Sequence, residues 1–330
     1  MPNSTYQAIV CEKIGSISSL QLRTLERKLL STENIRIKVK ACGINFPDKL
    51  MVEGKYQFKP ELPFVPGLEV SGIISETLNT DKSFKVGTKV MCQLRFGGYS
   101  EEVIVNKENV YLMPSNFSFE EAACFRVASQ TAYVALVERG NICSQDFVLI
   151  LGAAGGVGLA AVQLANALGA KVIAVSSSRE KQKICEHMGA HYSLSYESLK
   201  EKIDDITLGK GTDIIYDPVG GEYFNKALKC IKWGGKYLII GFAAGNIPSI
   251  PINIPLIKGI SILGVRAGEY FRRFPEKKSD SIKKLFDIAE KHSIKPYIYS
   301  KLNLNEAVKG LKMLEERKVI GRIILSPKDQ

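Results

Sequence analysis

The stretch GAAGGVG, residues 152–158, is the part of the sequence whose residue types point most directly to chemistry. It follows the apolar run 147–151 and begins a segment with helical periodicity. At such a strand-to-helix turn, small residues let the backbone approach a ligand closely, and the first N–H groups of the helix face an anion. Aligned on the dinucleotide fingerprint, the stretch is Ala153-x-Gly155-x-x-Gly158, with alanine at the first position. The alternative is a tight turn without a ligand. The residues predicted to contact the pyrophosphate of a dinucleotide are Ala154, Gly155, Gly156, Val157 and Gly158.

The next apolar run ends in VIAVSSSREK, residues 172–181, which bears on the choice of dinucleotide. A domain that prefers NAD usually carries Asp or Glu at this strand end, where the carboxylate accepts hydrogen bonds from the ribose. The sequence has Ser176 there, with Ser177 and Lys181 close behind. An acid would repel a 2′-phosphate, whereas hydroxyls and a cation bind it. We therefore predict NADPH as the cofactor, with Ser177 and Lys181 in contact with it. The alternative is a polar turn with solvated cations.

The elements that must position these residues follow two different patterns. Residues 35–39 alternate apolar and charged side chains, and further short strands are predicted at 69–74, 89–92 and 102–105, separated by Gly and Pro. From about residue 119, where Ser118 is a candidate helix cap, strands and helices alternate. Apolar strands that alternate with helices indicate a parallel sheet covered on both faces. The predicted fold class is α/β, a doubly wound parallel (Rossmann) sheet joined to an all-β domain.

Composition limits the class of protein. A chain of 330 residues suggests two domains, and 45% hydrophobic with 24% charged residues is ordinary for a globular protein. No apolar run reaches the roughly 18 residues of a membrane span, and the first 15 residues lack the pattern of a signal peptide. We therefore expect a cytoplasmic protein without a membrane partner. The seven cysteines are odd in number, widely spaced and without a CxxC pair, which favours reduced thiols over disulfides or a cysteine-built zinc lobe.

The net charge of +11 is unevenly distributed. Residues 266–330 hold 16 basic and 9 acidic side chains, whereas the rest of the chain is close to balance. A solvated basic face is the simpler interpretation. The alternative is attraction of an anionic partner, such as RNA or a ligand that carries phosphate.

Six segments carry a further pattern: ACGINFPDKL at 41–50, PFVPGLEVSG at 63–72, SQTAYVAL at 129–136, GAAGGVG, YDPVGG at 216–221 and WGGKYLIIGFAAG at 233–245. Together they resemble the zinc-free quinone oxidoreductase (zeta-crystallin-like) branch of the medium-chain dehydrogenase/reductase superfamily. The resemblance covers nearly the whole chain. It implies a GroES-like β-barrel catalytic domain formed by 1–124 and 266–330, and a Rossmann NADPH-binding domain formed by 125–265. It also implies a homodimer or tetramer in which edge strands of neighbouring cofactor domains pair.

The resemblance also bears on whether the enzyme has a catalytic zinc ion. Zinc-dependent relatives have Cys at the position of Asn45, a His-Glu pair at Leu68-Glu69 and a third ligand near Val127. Asn, Leu and Val cannot ligate zinc, which leaves Glu69 alone. No metal is therefore expected. The expected chemistry is hydride addition to an electrophile that needs little activation, such as a quinone or an enone. The histidines all lie outside this region, at His187, His191 and His292.

The family pattern implies roles for further residues. Asn45 and Tyr56 line the cleft near the nicotinamide and polarise the oxygen of the acceptor, although Tyr56 is alternatively a structural aromatic. Asp48 fixes the local turn. Thr131 lies at the start of a helix that faces the nicotinamide, or it only caps that helix. The cofactor contacts implied elsewhere are Lys181 and Tyr196 at the 2′-phosphate, Val219, Phe242, Val265, and Arg322, the last being alternatively a solvated cation.

Together these inferences predict an NADPH-dependent, zinc-independent reductase of quinones or similar electron-poor carbonyl acceptors. A 2-enoyl (enoyl-CoA) reductase of the same superfamily is the alternative enzyme. A non-catalytic protein that binds NADPH or RNA is the alternative from a different class.

Overall fold

The computed structural model describes residues 5–78 and 82–327. The described residues separate into two compact units. The first unit consists of the residues up to Val127 together with those from Pro296 onward, and the second is Ala128–Lys295.

The first unit is built mainly from antiparallel strands around an apolar core. A hairpin of β1 (Thr5–Val10) and β2 (Gln21–Glu26) stands beside a larger sheet, whose central strand β3 (Asn34–Ile44) buries Ile35, Ile37 and Val39. The strand order is β14-β15-β3-β4-β5-β7, and β6 also pairs with β3. The other strands of this sheet are β4 (Glu69–Thr77), β5 (Lys89–Gln93), β6 (Glu102–Asn106), β7 (Val110–Leu112), β14 (Ile298–Asn303) and β15 (Arg322–Ser326).

Three helices accompany these strands in the described part of the chain. They are α1 (Phe46–Val52), α2 (Phe119–Tyr133), which continues into the second unit, and α10 (Ala307–Glu315). The predicted cap of α2 is confirmed, because Ser118 Oγ accepts from the N–H of Glu121 at 3.2 Å and the Glu121 carboxylate accepts from the N–H of Ser118 at 2.7 Å. These two bonds form a capping box, which begins the helix at Phe119.

The second unit is the predicted doubly wound parallel sheet. Its strands, as far as the structure describes them, are all parallel in the order β10-β9-β8-β11-β12-β13. Apolar side chains such as Leu149, Ile173 and Ile215 are fully buried, which explains why these strands are continuous apolar runs. The strands are β8 (Phe147–Ile150), β9 (Lys171–Val175), β10 (Tyr192–Leu194), β11 (Thr212–Asp217), β12 (Ile231–Ile239) and β13 (Ser261–Gly264). The helices are α3 (Gly156–Ala167), α4 (Arg179–His187), α5 (Leu199–Thr207), α6 (Glu222–Leu228), α7 (Asn253–Lys258), α8 (Ala267–Arg273) and α9 (Pro275–Lys291).

The second boundary between the units differs from the sequence prediction. The sequence assigns everything after 265 to the catalytic domain, but the second unit continues to Lys295. The reason is that α8 contacts the π-helical turn Val134–Arg139 and α9 contacts α3. Within that turn, the carboxylate of Glu138 accepts hydrogen bonds from Tyr270 at 2.7 Å and from Ser281 at 2.8 Å. The basic segment 266–330 is thus divided between the two units.

A search of the described residues for membrane spans found no helix that combines the necessary length with sufficient hydrophobicity.

Candidate active site

The parallel sheet of the second unit brings most of the predicted cofactor residues to one edge. The chain leads outward from β8 through β9 to β10 and then returns to β11, so the strand order reverses between β8 and β11. In open α/β sheets, ligands bind at such a reversal, beyond the carboxyl ends of the strands. Thr131 lies elsewhere, in the last turn of α2, so the prediction that it stands at the start of a helix or caps it is wrong. The residues that follow the strand ends are 154–158 after β8, Ser177 and Lys181 after β9, Tyr196 after β10, Val219 after β11, Phe242 after β12 and Val265 after β13.

The glycine turn separates packing from ligand approach. A Cβ added to Gly158 would lie 2.5 Å from the carbonyl oxygen of Gly152 and 2.6 Å from that of Ala153, so only glycine allows α3 to begin this close to the turn. Gly155 is the residue before α3, and a Cβ there would meet, among the described atoms, only the Gly152 oxygen at 3.3 Å. The space in front of Gly155 is therefore open to a ligand.

The end of β9 carries a buried hydroxyl that the described residues leave unsatisfied. Ser176 is buried, and its Oγ has no hydrogen-bond partner among them. Beside it, the Lys181 ammonium donates to Ser177 Oγ at 3.4 Å, and Ser178 caps α4 by accepting from the N–H of Lys181 at 3.3 Å. Partial burial lowers the pKa of Lys181, and Glu180 opposes this. An orphaned buried hydroxyl next to a cation fits a bound ribose phosphate, because buried polar groups are normally paired.

Tyr196 is attached to the glycine turn. Its hydroxyl accepts a hydrogen bond from the N–H of Gly152 at 2.9 Å, and its ring lies against Tyr223 with 4.2 Å between ring centroids. The family pattern gave Tyr196 only a place near the 2′-phosphate and did not predict this bond. Tyr196 thereby links the end of β10 to the end of β8.

Asp217 shapes the turn after β11, and sequence reasoning missed it. Its Oδ1 accepts from the N–H groups of Val219 at 2.7 Å and Gly220 at 2.8 Å, and its Oδ2 accepts from the Tyr237 hydroxyl at 2.7 Å. Burial raises the pKa of Asp217 against the effect of these hydrogen bonds. Phe242 packs on this turn, since a Cβ on Gly220 would lie 2.8 Å from its ring. The signal was present in YDPVGG, because Asp often bonds the backbone two residues later in a turn.

In the first unit, Asn45, Glu69 and Arg322 form a buried cluster, here called the Arg322 network. Arg322 Nη1 donates to Asn45 Oδ1 at 2.9 Å, and Nη2 donates to the Glu69 carboxylate. Asn45 Nδ2 donates to Glu69 Oε1 at 3.0 Å and to the carbonyl of Gly43 at 3.2 Å. Burial would lower the pKa of Arg322, but the neighbouring Glu69 carboxylate raises it above its ordinary value. The guanidinium is therefore a permanent buried cation.

The network changes the roles predicted for two residues. Arg322 is not a solvated cation, because its side chain is only 6% exposed. Nη1 and Nη2 each donate a hydrogen bond within the first unit, whereas Nε has no partner among the described residues, so the cofactor contact of Arg322 remains a prediction beside its positioning role. Asn45, by contrast, has both amide hydrogens in use, which argues against it as the donor that polarises the acceptor.

Asp48 has the structural role that the sequence predicted. Its carboxylate accepts from the N–H of Asn45 at 2.8 Å, the N–H of Gly67 at 3.2 Å and the hydroxyl of Tyr99 at 3.0 Å. Burial raises the pKa of Asp48 to about 7, although these hydrogen bonds oppose the shift. Asp48 thus holds the start of α1 against the segment that leads into β4. Tyr56 follows α1, is half-buried and packs against the apolar core of the first unit.

The described residues also bear on whether the protein has a metal site. Among residues 5–78 and 82–327, no group of three or more His, Cys, Asp or Glu side chains is arranged to hold an ion. The positive charge beside Glu69 is the guanidinium of Arg322.

Comparison with known proteins identifies the family. Residues 31–115 match the family "Alcohol dehydrogenase GroES-like domain", and residues 156–284 match "Zinc-binding dehydrogenase". The chain is 36% identical to a quinone oxidoreductase-like protein 2 homolog of Nematostella vectensis, over 98% of this chain and 90% of that one. The chain belongs to the zinc-free quinone oxidoreductase branch of the medium-chain dehydrogenase/reductase superfamily.

Further relatives agree with this assignment. Quinone oxidoreductase-like protein 2 of Bos taurus is 33% identical over 98% of this chain and 93% of its own. The crystal structure of the Escherichia coli quinone oxidoreductase complexed with NADPH matches with a TM-score of 0.88 and 29% identity, over 98% of this chain and 99% of that one. The chain is a quinone oxidoreductase-like enzyme with a GroES-like domain and a Rossmann sheet, as the sequence predicted.

Proposed function

We propose that the enzyme reduces quinones or similar electron-poor carbonyl acceptors with NADPH, without a catalytic metal. The observation that carries this proposal is the end of β9, where a buried Ser176 hydroxyl without a described partner stands beside Ser177 and Lys181. An acidic residue at this position would favour NAD, and the chain has none there. The NADPH bound to the Escherichia coli relative supports the same choice of cofactor.

The residues of the second unit would hold the cofactor. The N–H groups at the start of α3 face the pyrophosphate, Gly155 leaves room for it, and the Asp217 turn presents Val219. Thr131, Tyr196, Phe242 and Val265 remain the other predicted contacts in this unit. Once bound, NADPH supplies the hydride.

The first unit would orient the acceptor. The Tyr56 hydroxyl is the donor that we assign to the acceptor's oxygen, where negative charge develops as the hydride arrives. Asn45 immediately precedes α1, and the Arg322 network holds its amide. Asn45 therefore positions the start of the helix that leads to Tyr56. Quinones need little further activation, since aromatisation stabilises the developing anion.

We also propose that the enzyme is a homodimer that pairs the edge strand β13 of two subunits and works in the cytoplasm. Strand β13 is the last strand on its side of the sheet in the described residues. Next to it in sequence, Ile252, Leu256 and Ile257 are exposed apolar residues on or beside α7, and Trp233 packs on Gly259 at the end of that helix. All seven cysteines lie in the described residues and form no disulfide there, which supports a reducing compartment.

The test is the oxidation of NADPH, with NADH as a parallel control, against ortho- and para-quinones and a 2-enoyl-CoA. We expect turnover of quinones with NADPH. Turnover with the enoyl thioester alone would move the function to acyl reduction and leave the cofactor site intact. Tight NADPH binding without any turnover would favour a non-catalytic binding protein. Retention of RNA at low salt would then be measured to test whether that protein binds RNA.

A further inference from the structure

An exposed group of aromatic rings and one arginine lies in the first unit, apart from the residues assigned above. We call Phe58, Phe96 and Arg95 the Arg95 platform. The rings of Phe58 and Phe96 are stacked, with 6.1 Å between centroids and 25° between planes. The guanidinium of Arg95 lies 3.7 Å from the centroid of the Phe58 ring. Phe96 is 42% exposed, so its ring is accessible to a ligand.

Backbone hydrogen bonds fix the platform beside the Arg322 network. The N–H of Leu94 donates to the carbonyl of Leu68 at 2.7 Å, and the N–H of Gly97 donates to that of Val65 at 2.7 Å. The same segment continues into Glu69, and Asp48 accepts from Gly67 within it. Arg95 and Phe96 are therefore held next to Leu68, the position at which zinc-dependent relatives carry a metal ligand. Phe58 follows the proposed donor Tyr56 by two residues, and both pack on the same core.

Arg95 is placed to accept an anion. Within the described residues it makes no ion pair with a carboxylate, whereas Arg36 of the same unit, for example, binds both Glu76 and Glu102. A guanidinium that stacks by its flat face keeps its N–H groups in its own plane and free of the aromatic ring. There they match the two oxygens of a carboxylate, sulfonate or phosphate. A stacked and unpaired arginine beside an exposed ring thus combines a π surface with a fixed positive charge.

We propose that the Arg95 platform binds the acceptor, and that it selects planar aromatic acceptors that carry an acidic substituent. The aromatic body stacks against Phe96, and the acidic group is held by Arg95. This inference rests on the proposed function for its biological meaning, but binding to the platform is measurable without turnover.

The experiment uses isothermal titration calorimetry with two redox-inert probes, naphthalene-2-sulfonate and naphthalene-2-methanol, and the full chain. We expect the wild type to bind the sulfonate about fivefold more tightly than the alcohol, the size of an exposed ion pair. Arg95→Gln removes this preference and leaves the affinity for the alcohol within about twofold. Phe96→Ala weakens both probes. Lys59→Gln is the matched control, because it removes an exposed cation next to Phe58 in the sequence and should preserve the preference.

Two results would overturn the inference. One is a wild type that binds both probes equally, and the other is an Arg95→Gln variant no different from Lys59→Gln. In a quinone assay, we expect Arg95→Gln to raise KM about fivefold for a sulfonated anthraquinone, with kcat unchanged, and to leave a neutral quinone unaffected. Absence of quinone turnover in the wild type would contradict the proposed function, while selective binding of the sulfonate would still establish the platform.

Discussion

The buried guanidinium of Arg322 is the residue that organises the candidate site of the first unit. It binds Glu69 and Asn45, and a Cβ on Gly43 would lie 2.6 Å from the Ala123 carbonyl oxygen and 2.9 Å from the Glu69 carboxylate. The backbone thus leaves no spare room around the network. A buried ion pair is expensive to break because the remaining charge is left without compensation.

Replacing Arg322 with Gln should therefore lower the free energy of unfolding by about 3–5 kcal/mol, measured by urea denaturation. Arg273→Gln is the control, because Arg273 is exposed and pairs with Glu269 at the surface, where the loss should be at most about 1 kcal/mol. The double variant Glu69→Gln with Arg322→Gln should recover part of the loss. Equal effects of Arg322→Gln and Arg273→Gln would show that the network does not carry this energy.

Lys181 is the residue on which the choice of cofactor can be tested. Lys181→Ala removes one charge-assisted contact of about 1.5–3 kcal/mol, so the Kd for NADPH should rise about 10–100-fold while that for NADH stays nearly constant. Fluorescence titration of both cofactors measures this. Lys183→Ala, an exposed lysine two residues later, is the matched control. An equal loss for NADH would remove the 2′-phosphate assignment.

Asp48 predicts a pH dependence of stability. Its pKa is raised to about 7 in the folded protein, whereas an unfolded aspartate titrates near pH 4. Between these values the folded state holds a proton that the unfolded state has lost, so this contribution to stability falls as the pH rises from about 4 to about 7. Relative to Asp48→Asn, which does not titrate, the wild type should lose about 1.4 kcal/mol per pH unit in this window.

Urea unfolding of both proteins at several pH values measures that difference. Asp280→Asn, at an exposed site paired with Lys284, corrects for the general effect of removing an aspartate. A difference between the wild type and Asp48→Asn that stays flat from pH 4 to pH 7 contradicts the raised pKa.

At the level of elements, the glycine turn between β8 and α3 provides a matched pair of substitutions. Gly158→Ala forces a Cβ against two backbone oxygens, and overpacking of this kind costs about 1–3 kcal/mol of stability. Gly155→Ala is tolerated by the fold, since its φ is −76° and its Cβ meets little, but the added methyl stands where we propose that the pyrophosphate approaches. We expect Gly158→Ala to lower the urea midpoint, and Gly155→Ala to abolish NADPH binding at an unchanged midpoint. Reversed effects would contradict the division of roles.

The elements that the sequence predicts well are those with a strong local signal. The buried strands β8, β9 and β11 contain apolar runs with a glycine within two residues of one end, and α2, α3 and α4 carry caps or glycine ends. The short strand β10 and the helix α5 lack such signals and were not predicted. Arg36 alternates with apolar residues as if exposed, yet it is buried between Glu76 and Glu102. Pairings between residues distant in sequence, such as Arg322 with Glu69, depend on tertiary structure and leave no local pattern.

At the level of the whole molecule, the assignment of the basic segment changes what its charge can mean. Helices α8 and α9 belong to the second unit, and several of their cations are paired within it. Arg272 and Arg273 bind Glu269, Lys284 binds Asp280, and Lys283 binds Asp287. Four cations of the segment are thus paired with carboxylates of the same segment, as on a solvated face, and the remaining positive charge is divided between the two units.

The proposed dimer is the remaining property of the whole molecule that can be tested by substitution. Leu256 is 81% exposed on α7, close to the edge strand β13, so Leu256→Asp places a charge in the proposed interface. We expect the wild type to have the mass of a dimer in light scattering and Leu256→Asp to have that of a monomer. Leu208→Asp is the matched control, because Leu208 is equally exposed at 84% but ends α5, away from β13 in sequence.

The chain's single tryptophan, Trp233, is 78% exposed and gives a second signal, since its emission should shift to longer wavelength as the dimer is diluted. A monomeric wild type, or equal dissociation of both variants, would exclude β13 as the dimer edge.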